Sequence, residues 1–108
     1  MKPLPKYRAV PTVVDNILFA SKKEANRYFE LKVLLKAGQI TDLVCHPRFP
    51  LVVQGTKVCT YVADFQYCDT DGKLVVEDVK SKPTMTPAYR LKRKLLQITQ
   101  GITIREVF

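Results

Sequence analysis

The 108-residue chain has no tryptophan, a single histidine and four glycines. No apolar run approaches the roughly 20 residues a membrane helix needs. Without a basic amphipathic helix carrying a bulky apolar face, attachment to a membrane surface is also disfavoured. The opening stretch, Met1 to Pro11, is basic and proline-rich but has no apolar segment of the kind a secretory signal carries. Cys45, Cys59 and Cys68 form no CxxC pair, and their odd number argues against a disulfide framework. They read as small buried thiols in a reducing compartment. His46 has no second histidine with which to build a His-rich metal site, and with Pro47 after it reads as a structural residue at a strand end. Internal repeats and low-complexity segments are absent. These absences point to one globular domain in the cytoplasm, with no membrane partner.

Acidic charge is also scarce. Eighteen lysines and arginines stand against ten acids, a net charge of +8. On so small a domain that excess favours a polyanionic partner, with nucleic acid first. The 46% hydrophobic content is ample for a folded core.

Residues 1–12, with Pro3, Pro5 and Pro11, read as an extended basic arm ahead of a single domain over 13–108. "NILFA" reads as a short strand. Ser21-Lys22-Lys23-Glu24 matches a helix capping box. Ala25, Tyr28, Leu31, Leu34 and Leu35 then recur at helical spacing up to a stop at Gly38. Strands are expected over 40–45 and 49–53, with a Gln54-Gly55 turn into a long strand over 57–68. Another follows over 73–81. Thr86 and Pro87 open a second helix that ends at Gly101, and "ITIREVF" closes the chain as a strand. The expected fold is α/β (α+β): a mixed central sheet with an antiparallel meander flanked by helices. The last strand follows a helical crossover and so should pair parallel.

The stretch "VVEDVKS" places Glu77, Asp78 and Lys80 in an otherwise apolar strand. Strand alternation puts Asp78 and Lys80 on one face and Glu77 on the other. If Thr70-Asp71-Gly72 is a three-residue hairpin loop with the glycine left-handed, Asp69 pairs with Lys73 and Asp64 lies opposite Asp78. A four-residue loop would instead set Asp64 against Glu77. Either way two carboxylates face each other across a partly buried sheet, which is unfavourable without a counter-charge. Lys80 supplies one charge, and a hard divalent cation on oxygen ligands, Mg²⁺ or Mn²⁺, would supply more. Glu24 continues the core-facing stripe of the first helix, so it can be a cap, a member of the same site, or both.

Asp64 in "YVADFQY", Asp78-Val79-Lys80 in "VVEDVKS" and the helical Glu24 together resemble the PD-(D/E)xK nuclease superfamily. With "HPRFPLVV" and "YRLKRKLL" added, the ordered set of segments resembles a small phage-encoded endonuclease-like family within it, over about Tyr7 to Val107. The proline of the motif's name is replaced by Ala63. This resemblance implies a restriction-endonuclease-like core and Mg²⁺-dependent phosphodiester hydrolysis, possible on branched DNA as in Holliday-junction resolvases. It further implies a phage protein acting inside a host cell. Asp64, Asp78 and Glu24, with a backbone carbonyl near Val79, would hold the metal, and Lys80 would orient water or neutralise developing charge.

On the second helix, Leu91, Leu95 and Ile98 are expected to face the core. Arg90, Arg93, Lys94 and Gln97 then lie on another face, toward DNA phosphates. Tyr89 can pack or stack, and Lys82 with the arm's Lys2, Lys6 and Arg8 can add backbone contacts. So small a nuclease would depend on DNA shape or on self-association, as a homodimer. The alternative is a catalytically inactive DNA-binding or packaging-associated phage protein on the same fold.

Overall fold

The computed structural model describes residues 9–108, so most of the basic arm, with Lys2, Lys6 and Arg8, lies outside it. The chain opens with a hairpin, β1 (Thr12–Val14) and β2 (Ile17–Phe19). Asp15 and Asn16 turn it with φ of 52° and 63°, the paired left-handed geometry that suits the twist of a two-residue hairpin. The expected strand at "NILFA" is therefore present, and Thr12, assigned above to the arm, belongs to its partner.

Helix α1 (Lys22–Lys36) follows, capped by Ser21, whose side chain accepts the Glu24 amide. It buries Ala25, Tyr28 and Leu31 against Phe19, Ile40, Phe65 and Tyr67. The remaining strands are β3 (Thr41–Cys45), β4 (Arg48–Val53), β5 (Thr56–Val62), β6 (Phe65–Cys68), β7 (Leu74–Val79) and β8 (Ile104–Val107). Helix α2 (Pro87–Gln100) lies between β7 and β8, capped by Thr86 and ended by Gly101 at φ 68°. The fold is α+β with a mixed four-stranded sheet ordered β3-β6-β7-β8. Strand β8 runs parallel to β7, and the other neighbours are antiparallel, as the helical crossover required.

The expected long strand over 57–68 is bent. At Ala63-Asp64 the chain leaves the β4–β5 pair and enters the main sheet as β6. The register passes through the bend unchanged, with Arg48 opposite Val62 on one side and Cys45 opposite Phe65 on the other. His46 and Asp64 therefore face each other at the corner, joined by the His46 amide to the Asp64 carbonyl at 2.9 Å. The bend swings β4–β5 onto α2, where Leu51, Tyr61 and Ala63 pack with Val76, Tyr89, Leu96 and Ile104 in a second core.

The inward face of α2 departs from expectation. Tyr89 and Leu96 are its buried residues, whereas Leu91 and Ile98 are 61% and 69% exposed. Two apolar stripes were available on this helix, and the one carrying the aromatic ring fills the space beneath it.

Candidate metal centre at the sheet bend

Four acidic or imidazole side chains converge where the sheet bends, each delivered by a different segment. Glu24 comes from the first turn of α1. Its amide is held by Ser21, while its carboxylate lies 3.0 Å from His46 Nε2. Ser21 is therefore the cap, and the Glu24 carboxylate, instead of reaching back to the Ser21 amide as a full capping box would, turns toward His46. Asp64 enters at the head of β6 and Asp78 near the end of β7. The β6–β7 register, Phe65 with Glu77 through Cys68 with Leu74, places these two side by side as the three-residue loop demanded. Gly72 takes φ 77° and the Asp69 amide bonds the Lys73 carbonyl at 2.9 Å.

The two aspartates are bonded through backbone amides. Asp64 N–H donates to Asp78 Oδ1 at 2.9 Å, and Val79 N–H donates to Asp64 Oδ2 at 2.7 Å. The Tyr61 hydroxyl donates a short hydrogen bond to Asp78 Oδ2. Ligand atoms of Glu24, His46 and Asp64 all lie within 4.8 Å of one another. Asp78 is outside that trio, turned toward Tyr61.

Crowding shows in the electrostatics. Burial pushes the Asp64 carboxyl up to about 7, reinforced by the charges of Glu24 and Asp78 and opposed by the Val79 amide and Lys80. Burial also raises Asp78, against the Tyr61 hydrogen bond and Lys80. The Cys45 thiol, next to His46 in the chain, is raised by burial and then by Glu24.

Lys80 sits with its ammonium 3.9 Å from the centre of the Tyr89 ring, a cation–π placement. The Lys23 ammonium donates to the Lys80 carbonyl at 2.9 Å, tying α1 to this strand end. Two clefts flank the segment. One, of about 280 Å³, is lined by Ser21, Lys23, Val79 and Lys80. The other, of about 320 Å³, is lined by Tyr61, Asp78, Lys80, Tyr89 and Lys92.

Glu77 points to the opposite face. It is fully buried and bound by Arg27 through two hydrogen bonds of 2.9 and 2.8 Å, with the Tyr67 hydroxyl as a third, short donor. It is a strut between α1 and β7.

The expected phosphate contacts divide. Lys82, Arg90, Lys94 and Gln97 are exposed. Tyr89 is buried, with its hydroxyl donating to Glu106 at 2.8 Å, and Arg93 bonds the same carboxylate at 2.7 Å. These last two brace α2 against β8. Sequence reasoning took His46 for a structural residue and passed over Tyr61 and Lys92. For His46 the signal was available in the "HPRF" segment, but nothing local said that it would face Asp64.

The fold and the cluster together define an α+β domain with a carboxylate–imidazole centre at the corner of its sheet. A family model described as "Protein of unknown function (DUF1064)" matches residues 4–106, and the chain belongs to that family. No curated protein and no solved structure matches it.

Proposed function

We propose that this protein is a divalent-metal-dependent DNA endonuclease of the PD-(D/E)xK kind, hydrolysing phosphodiester bonds, with branched DNA as a candidate substrate. The observation that carries this is a chain of neighbours: Glu24 meets Asp64, the Asp64 amide bonds Asp78, and Asp78 lines an open cleft together with Lys80.

A divalent ion fits the donor set. Glu24 and Asp64 offer carboxylate oxygens within 4.8 Å, beside a third carboxylate, and their mutual repulsion adds to the burial that holds Asp64 near 7. Mg²⁺ or Mn²⁺ bound by Glu24, Asp64 and Asp78 would supply charge neutralisation on the phosphate and a lowered pKa for water.

The chain's own groups prepare the place. The Val79 amide fixes the Asp64 carboxylate, and Tyr61 fixes that of Asp78. The Tyr89 ring holds the Lys80 ammonium in the cleft that Asp78 also lines, where it can pair with a phosphate oxygen or orient water. Lys92 adds positive charge to the same wall. Lys82, Arg90 and Lys94 are free to contact flanking phosphates, and Gln97 lies one turn further along α2.

The test is to incubate the protein with linear, nicked and four-way-junction DNA in Mg²⁺, Mn²⁺ or EDTA. Metal-dependent internal cutting of at least one substrate is expected. Binding without cutting on every substrate overturns the proposal in favour of an inactive DNA-binding protein.

A further inference from the structure

Oxygen ligands alone would suit Mg²⁺, yet the group whose ligand atoms converge includes an imidazole. We infer that His46 is itself a metal ligand, and that it makes this centre a mixed nitrogen–oxygen site preferring first-row transition ions such as Mn²⁺ over Mg²⁺. The inference rests on the metal site proposed above but not on its cutting DNA.

Three placements carry it. His46 Nε2 lies 3.0 Å from Glu24 Oε1, and neighbouring ligands of one octahedral ion with bonds of about 2.1 Å lie about 3 Å apart. A simple ion pair would satisfy that distance too, but it would not bring in Asp64, which reaches the same spot from a third segment. The approach is fixed by backbone. His46 N–H bonds the Asp64 carbonyl at 2.9 Å, Ala63 N–H bonds the Pro47 carbonyl at 3.1 Å, and His46 takes φ 54°, left-handed for a residue that precedes proline.

The ring also packs 5.6 Å from that of buried Phe19, so one side of it is walled. Its side chain is nevertheless 35% exposed, along a cleft of about 400 Å³ lined by Tyr28, Lys32 and Cys45. An ion therefore has a route in. Mg²⁺ and Mn²⁺ both accept oxygen donors, but Mn²⁺, at the start of the first-row transition series, tolerates an imidazole better than Mg²⁺ does, so this ligand shifts the preference between the two.

The experiment is pulsed electron paramagnetic resonance on the metal-stripped full chain titrated with Mn²⁺, with Mg²⁺ as competitor. The expected result is one bound Mn²⁺ showing nitrogen hyperfine coupling. In His46→Gln the coupling disappears and Mn²⁺ affinity falls by more than about tenfold, the least that losing even an outer-shell partner commonly costs. Mg²⁺ affinity falls less, so the Mn²⁺/Mg²⁺ ratio shrinks. Thermal unfolding in EDTA checks that the variant is folded, and the wild-type spectrum decides the matter without any variant. Absence of Mn²⁺ binding, a Mn²⁺ complex without nitrogen coupling, or an unchanged ion preference in folded His46→Gln overturns the assignment. Nitrogen-coupled Mn²⁺ in a protein that cuts no DNA would sink the nuclease proposal alone. DNA cutting with an all-oxygen Mn²⁺ site would sink the His46 assignment alone.

Discussion

Glu77 and Asp78 are adjacent on β7, yet their carboxylates leave opposite faces of the sheet and meet opposite kinds of partner. Glu77 is neutralised by Arg27, whose guanidinium donates twice to it. Removing the charge in Glu77→Gln leaves that largely buried guanidinium with only the exposed Glu30 as a counter-ion. We expect a loss of about 3 kcal/mol in urea unfolding, the lower end of the range for breaking a buried pair. Asp64 is held in the contrary way, where burial and neighbouring carboxylates raise it from 3.8 to about 7. In the metal-free protein the folded state retains a proton there that the unfolded chain has already released. Its stabilising effect is complete below about pH 4 and is lost as pH rises through about 7. The urea midpoint of metal-stripped protein should therefore decline between those values, and Asp64→Asn should flatten the decline. An identical slope in the variant would contradict the placement of Asp64.

At the scale of elements, the hairpin β6–β7 was readable residue by residue. "DTDG" has its glycine where a three-residue loop needs left-handed backbone, and Gly72 adopts φ 77°. Strand alternation then set Asp64 beside Asp78 and turned Glu77 away. The other flank of Asp64 was not readable. The Gln54-Gly55 turn pairs Val53 with Thr56 and Val52 with Lys57, a register that would set Asp64 against Cys45 if it ran on unshifted. An extra residue at Val58 moves the pairing to Leu51 with Cys59, and His46 replaces Cys45 opposite the aspartate. A bulge of this kind has no reliable local signature, being settled by how β4–β5 folds over α2. The face of α2 was misjudged in part for a related reason: Leu95 does pack against the core, but Leu91 and Ile98, as apolar as the residues that are buried, face outward. The first turn of α1 carries its own prediction. Ser21→Ala should cost about 1 kcal/mol in thermal or urea unfolding. It should also weaken Mn²⁺ binding, because the same turn presents Glu24.

Across the whole molecule, the net charge of +8 acts through the cations left free at the surface. Lys82, Arg90 and Lys94 are exposed, whereas Arg93 is bound to Glu106 and Arg27 to Glu77. DNA affinity should fall steeply with salt. The double change Arg90→Ala with Lys94→Ala should reduce the log–log salt slope by about 1.8, or about 0.9 for each phosphate that is no longer neutralised. An unchanged slope would place the DNA on another face. No helix among the described residues is long and apolar enough to cross a membrane.

The measurement that bears most directly on the central claim compares DNA cleavage by the wild type and by Asp64→Asn, in Mn²⁺ and in EDTA, with DNA affinity measured on the same samples. The expected result is cutting that needs the metal and falls more than about 100-fold in Asp64→Asn, while DNA affinity is retained. Cutting by Asp64→Asn at the wild-type rate, or cutting by the wild type that persists in EDTA, would contradict the account.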